Sequence, residues 1–253
     1  MIDSHCHLHL KDFDEDRGEV IERMTEAGVS RVLEVGINRK GAAECLRLAA
    51  KYPQFRVAAG LHPHEADKWD DYYRADILKL AGNRKVVALG EMGLDFYRDW
   101  SPRDAQDRCF RAQLGLARET GLPVIFHVRE AEAEFLRVID EEGAPARAVV
   151  HAFGSHGDFA AACLKRGFWL GIGGVLTYKN SKLPHVLASH VPVDRILLET
   201  DCPWLTPEPF RGKRNEPSRL VHVREKLSEI YGMGEIELDA LTDYSFERFL
   251  GMA

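Results

Sequence analysis

Short apolar, β-branched runs alternate with helix-length segments along the whole chain, and this alternation limits the fold more than any other feature of the sequence. The pattern predicts strands over Ile2–Leu8, Ser30–Val35, Arg56–Gly60, Val86–Glu91, Pro123–His127, Ala148–His151, Trp169–Ile172 and Ile196–Asp201. Helical spacing fills the intervals, over Arg17–Ala27, Gly41–Tyr52, Tyr72–Gly82, Pro102–Thr120, Ala131–Glu142, Asp158–Arg166 and Lys182–Val191. Two further helical segments, Glu216–Tyr231 and Leu238–Leu250, close the sequence. Strands that alternate with helices build βαβ units and a parallel sheet. Eight such units in 253 residues match an α/β fold of the (β/α)8 TIM-barrel class. The rival is an open doubly wound sheet, which normally carries a glycine-rich phosphate turn after its first strand. Here the first strand runs into His5-Cys6-His7, and Gly171-Ile172-Gly173-Gly174 lacks the G-x-G-x-x-G spacing. No linker or shift in composition divides the chain, so residues 1–253 read as a single barrel domain.

Strands buried on both faces should read as continuous apolar runs. Several of these runs instead end in a side chain able to bind a metal: His5 and His7 on the first, Glu91 on the fourth, His127 on the fifth, His151 on the sixth and Asp201 on the eighth. A lone histidine at a strand end is usually a hydrogen-bonded surface residue, and a lone carboxylate there is usually a helix cap. Neither reading explains all six at the C-terminal ends of parallel strands, where (β/α)8 active sites lie. The two-residue strand period turns His5 and His7 to one side and Cys6 to the other, and gives Glu199 and Asp201 a common face. A carboxylate buried among histidines is costly unless a cation compensates it. Six ligands are too many for one tetrahedral catalytic zinc, and suit two divalent ions about 3.5–4 Å apart. Four imidazoles with two carboxylates favour zinc, manganese or iron over calcium, and magnesium would bind more weakly, keeping several waters.

The segments around these residues resemble those of the TatD family of metal-dependent deoxyribonucleases, within the wider amidohydrolase-like barrels. The matching stretches are Asp3-Ser4-His5-Cys6-His7-Leu8, Gly60-Leu61-His62-Pro63-His64, Ala88–Phe96, Pro123–His127, His151-Ala152-Phe153, Gly174–Asn180 and Leu197–Pro207, leading into Arg211–Pro217. They occur in the family's order and cover nearly the whole chain. The resemblance implies a metal-dependent hydrolase of the barrel type. His5, His7 and Asp201 would hold one ion, His127 and His151 a second, and Glu91 would bridge both. It also implies Asp201 as general base and His62 as a residue near the site that is not a ligand. The cofactor expected is two divalent ions, magnesium, manganese or zinc. Two stretches depart from the family: Gly154-Ser155-His156 replaces a Ser-Gly-Ser turn, and Ser245 stands where an asparagine is common. Neither removes a ligand.

A phosphodiester substrate needs cationic partners beyond the ions. Arg211, Lys213 and Arg214, with Arg219, follow the eighth strand, Arg129 follows His127 closely, and Lys179 lies beyond the seventh strand. A run of charge is often only a solvated surface. These charges, however, sit on the rim of the expected site in a chain with 34 Lys+Arg against 40 Asp+Glu and a net charge of -6. That balance argues against a surface coated with nucleic acid and leaves room for a local basic funnel. Trp204, Tyr97 and Phe96 are candidates for stacking on a base or for simple packing.

The leading expectation is a deoxyribonuclease that trims single-stranded DNA or frayed ends from the 3′ end. It needs no membrane and no obligate protein partner. A hydrolase of a small ester, lactone or amide is the alternative, since the same chemistry serves those substrates. A metal-bearing barrel that only binds a partner would have no use for Asp201 beside an activated water. No apolar run is long enough to span a bilayer, and the N-terminus lacks the pattern of a signal peptide. The five scattered cysteines include no C-x-x-C pair and read as reduced thiols, so a cytoplasmic location is expected.

Overall fold

The computed structural model describes residues 1–252. All eight expected strands are present: β1 (Ile2–Cys6), β2 (Arg31–Gly36), β3 (Phe55–Ala59), β4 (Val86–Asp95), β5 (Val124–Arg129), β6 (Ala148–Val150), β7 (Trp169–Ile172) and β8 (Ile196–Leu198). Between and after them lie α1 (Arg17–Glu26), α2 (Arg39–Lys51), α3 (Asp71–Ala81), α4 (Arg103–Thr120), α5 (Glu132–Glu142), α6 (Gly157–Lys165), α7 (Leu183–His190), α8 (Leu220–Tyr231) and α9 (Glu235–Leu250). The sheet order follows the chain order, β1 to β8. No helix among the described residues is long and apolar enough to cross a membrane.

Two compact units make up the chain, one of residues 35–151 and one of residues 1–34 with 152–253. In the first unit, β3 to β6 pair in parallel. Its core is built on Phe110, Phe126 and Phe135, with ring centroids 5.0–5.8 Å apart. Asn38 caps α2 by accepting the Gly41 N–H, and Asp70 caps α3 by accepting that of Tyr73. Helix α4 adds two buried glutamines seven residues apart, hence on one face. Gln113 brackets Leu61, accepting its N–H and donating to its carbonyl, each at 2.9 Å. Gln106 accepts the Asp95 N–H at 2.9 Å and donates to the carbonyls of Asp95 and Ser101. One helix face thereby fixes the backbone on which His62 and Asp95 are carried.

In the second unit, β1 pairs in parallel with the start of β2, and β7 with β8. The buried Asp3 carboxylate accepts the Thr200 N–H at 2.9 Å and the Thr200 hydroxyl at 2.6 Å, so β1 grips the segment that follows β8. Asn215, fully buried, donates to the carbonyls of Thr200 and Trp204 and closes the loop in between.

Two boundaries differ from the sequence reading in ways that matter. Strand β4 runs four residues past Glu91, because Met92 to Asp95 pair in register with Phe126 to Arg129. Strand β8 stops at Leu198, and Asp201 takes a left-handed φ of 54°. The two-residue period therefore does not carry through Glu199 and Asp201, and their common face does not follow from it.

Candidate functional site

Within residues 35–151, one carboxylate oxygen gathers three imidazoles. Glu91 Oε1 lies 2.7 Å from His127 Nδ1, 2.7 Å from His151 Nε2 and 3.4 Å from His62 Nε2. His127 Nδ1 and His151 Nε2 are themselves 3.1 Å apart. Only glycine allows the strand approach that makes this possible: Gly93 has φ 143°, and a Cβ there would meet the His127 carbonyl at 2.0 Å. Burial pushes the Glu91 carboxyl up. The charges of His151 and His62 and the hydrogen bonds from His127 and His151 outweigh it, holding the group well below the usual carboxylate range.

The ring protons distinguish His62 from His127. His64 N–H donates to His62 Nδ1 at 3.1 Å, so the neutral His62 ring carries its proton on Nε2, facing Glu91. Burial drives His62 down to about 4, which keeps it neutral at pH 7. In that form it donates to Glu91, and with Glu91 and His127 it also forms a group whose donor atoms could share an ion. His127 faces Glu91 through Nδ1 and Asp95 Oδ2 through Nε2, the latter at 3.1 Å. Burial pushes His127 down, but the hydrogen bonds to Asp95 and Glu91 prevail and its pKa is raised. With a cation at Nδ1, the ring would be satisfied in its neutral form, its Nε2–H on Asp95.

Within residues 1–34 and 152–253, His5 Nε2 and His7 Nε2 lie 3.1 Å apart. Asp201 Oδ1 is 3.8 Å from the first and 3.4 Å from the second. Asp201 is set there by its own N–H, which donates to the His5 carbonyl at 2.9 Å, and by its left-handed backbone. All three residues are buried, His5 and His7 to 1% exposure.

Both clusters fit a divalent ion. Donor atoms that share one ion at about 2.0–2.2 Å are expected at separations like these. Nitrogen and carboxylate donors together suit zinc, manganese or iron. Without a cation, buried imidazoles and carboxylates at such spacing would be costly. Groups whose donor atoms lie close enough to share one ion include His5 with His7 and Asp201, and Glu91 with His127 and His62.

The remaining expected site residues are placed as follows. Arg129 is exposed, with its guanidinium 3.9 Å from the Tyr97 ring centre. Lys179 and Lys213 are exposed, and Arg211 lies over the Tyr178 ring at 4.2 Å. Arg214 is committed elsewhere: it forms a two-point pair with Asp16 at 2.6 and 2.8 Å and donates to the Asp12 carbonyl. Arg219 donates to the Arg214 carbonyl, so the tail of this basic loop braces the fold. Trp204 stands edge-on to His7 at 5.2 Å, while 48% exposed.

Three buried acidic residues that were not singled out brace the segments that carry the clusters. Asp95, fully buried, receives His127 Nε2 and His64 Nε2 on one oxygen, at 3.1 and 2.8 Å. Burial raises its carboxyl, but the hydrogen bonds from His127 and His64 outweigh this and hold it below its ordinary range. Its signal was parity, for Glu91, Gly93 and Asp95 are alternate residues of one strand. Asp3 anchors the Asp201 segment through Thr200. Glu34, also fully buried, accepts from His9 Nδ1 at 2.7 Å and from the Cys6 thiol at 3.3 Å. Glu199 accepts the Ala152 N–H at 2.6 Å.

A family model described as TatD related DNase matches residues 2–251. The chain is similar to a Bacillus subtilis protein described as an uncharacterized metal-dependent hydrolase, YabD, with 40% identity over 98% of each chain. It is also similar to a Pectobacterium parmentieri protein described as a 3′-5′ ssDNA/RNA exonuclease, TatD, with 36% identity over 100% of each. Among solved structures, YJJV, a TatD homolog from Escherichia coli, matches with a TM-score of 0.93 and 30% identity, over 100% of this chain and 98% of that one. The fold is therefore the expected TIM barrel.

Proposed function

The chain belongs to the TatD-related DNase family, a family of metal-dependent hydrolases, and on that premise we propose that it removes nucleotides from the 3′ end of single-stranded or frayed DNA. The observation that carries the reading is a pair of imidazole–carboxylate clusters, His5 and His7 with Asp201 in one and the histidines around Glu91 in the other, each with donors for a divalent ion. His5, His7 and Asp201 would hold one ion, and Glu91, His127 and His151 a second. Such ions would lower the pKa of a water nucleophile and offset charge on the phosphoryl oxygens. Asp201 takes the proton from the attacking water and returns it to the leaving oxygen. His62 Nε2–H steadies the Glu91 carboxylate, and Asp95 keeps the His127 ring turned with Nδ1 toward Glu91. Arg129, Lys179, Arg211 and Lys213 supply positive charge for the substrate backbone, with affinity falling as salt rises. The activity is carried by residues 1–253 as one catalytic domain. The five buried cysteines, none of them in a disulfide, fit a reducing compartment such as the cytoplasm.

The test is cleavage of a 5′-labelled single-stranded oligonucleotide by chelator-stripped protein, with magnesium, manganese or zinc added back. The expected product is a ladder that shortens from the 3′ end, absent without metal and absent for Glu91→Gln. Silence with every metal, alongside turnover of a small ester, lactone or amide, would replace this reading with the small-substrate one.

A further inference from the structure

Between β4 and α4, the segment 96–100 builds a surface that the two clusters do not use. Trp100 is 66% exposed and Tyr97 51% exposed, although large rings are on average highly buried. The Arg98 guanidinium lies 5.2 Å from the Tyr97 ring centre and 5.6 Å from that of Trp100. The Arg129 guanidinium reaches the Tyr97 ring at 3.9 Å. Among the described residues, neither Arg98 nor Arg129 has a carboxylate partner. Nearby arginines do: Arg103 pairs with Asp99, and Arg137 with Glu134. Exposed rings beside unneutralised cations are what a strand of nucleic acid requires, one to stack a base and the other to meet the adjoining phosphate.

The surface is also fixed to the metal-binding histidine. Asp95 holds His127 with one oxygen and, with the other, accepts the Tyr97 and Arg98 N–H groups at 3.0 and 2.9 Å. The Trp100 ring lies 4.4 Å from that of His64, whose Nε2 bonds Asp95 at 2.8 Å. The next residue, Ser101, donates to the His64 carbonyl at 3.0 Å. The rings are thus held in place before any ligand arrives, which lowers the ordering cost of binding.

We propose that Tyr97, Arg98, Trp100 and Arg129 form a nucleobase-stacking subsite that takes an unpaired base near the cleaved phosphate. The proposal rests on the nuclease reading above and adds to it the part of the substrate that is gripped. Bases inside a duplex are stacked on one another, so the subsite admits a single strand or a frayed end. It tolerates any sequence, because every base has a face to stack.

The experiment compares oligonucleotides of one length that carry either a base or an abasic sugar near the 3′ end. Wild type should prefer the base-bearing strand by about fivefold or more in KM, the least expected for one stacked base. Trp100→Ala and Tyr97→Ala should raise KM on the intact strand and bring the preference toward one, and Trp100→Phe should restore most of it. Arg98→Ala and Arg129→Ala should each reduce the salt slope of binding by about one, a change that Trp100→Ala should not produce. Cleavage by wild type with equal KM on both strands would overturn the subsite and leave the nuclease reading standing. So would Trp100→Ala and Tyr97→Ala proteins that both keep the wild-type preference. Failure of wild type to cleave any oligonucleotide would overturn both.

Discussion

Changing Asp95 to asparagine removes one negative charge from a fully buried position where four donors converge: His127 Nε2, His64 Nε2 and the N–H groups of Tyr97 and Arg98. An asparagine has one acceptor oxygen and one donor nitrogen. If the oxygen keeps the two backbone N–H groups, the NH2 faces two ring nitrogens. If the amide flips, it faces the two backbone donors instead. In either pose a buried donor loses its partner, which costs about 1–3 kcal/mol. For His127 the loss is specific, because ligation through Nδ1 requires the proton on Nε2. Removing a partner that orients a metal-bound imidazole typically lowers metal affinity or activity about 10–100-fold, which corresponds to about 1.4–2.8 kcal/mol. Chelator competition with manganese or zinc on stripped protein should show one ion per chain weakened by that factor, the other little changed, and kcat reduced in parallel. Two ions bound with wild-type affinity by folded Asp95→Asn protein would refute the role given to this carboxylate.

Asp201→Asn should cut kcat by about 100-fold or more, the usual worth of a positioned base, while most of the metal stays bound; wild-type-like turnover would sink the assignment. Glu216 is held by a two-point bond from Arg23 at 2.9 and 2.7 Å. Burial alone would raise its carboxyl, but the hydrogen bonds from Arg23 and Ser218 outweigh that and lower it. A depressed folded pKa gives stability that is complete above the unfolded value, about 4.3, and fades as pH falls. Glu216→Gln should therefore cost about 1 kcal/mol at neutral pH, less to the extent that water screens Arg23. The Tm gap from wild type should close on acidification below about pH 4. All five cysteines are buried and none is in a disulfide, so a thiol reagent should find five groups in denaturant and almost none in the native protein.

The strand ladder was legible because its apolar runs are short, β-branched and separated by helices of ordinary length. Both strand pairing and helix docking enforce those periods. His5 and His7 were paired from sequence by the two-residue strand period, and their Nε2 atoms do meet, although β1 ends at Cys6 and its pairing with β2 shifts register between Asp3 and Cys6. The same rule failed for Glu199 and Asp201, where the chain leaves β8 at Leu198 and Asp201 turns into left-handed backbone. Asp95 was hidden by an underestimated strand: β4 continues four residues further only because β5 supplies partners in register, and pairing is a property of two segments. Gln106 and Gln113 went unmarked because a polar residue on a helix usually faces water. Their burial is decided by the backbone groups of Leu61 and Asp95 that they satisfy. Arg214 looked like a substrate contact by its place in a basic loop, yet Asp16, distant in sequence, engages it.

The metal content of the purified chain tests the account most directly. Stripped protein reloaded with manganese or zinc, freed of excess ion and analysed by elemental mass spectrometry, should carry two ions per chain. Removing the donors of one cluster with His5→Ala and His7→Ala should leave about one, and so should Glu91→Ala with His151→Ala, with oligonucleotide cleavage lost in both. A wild-type chain that holds no ion, or a content that neither pair of substitutions lowers, would contradict the account.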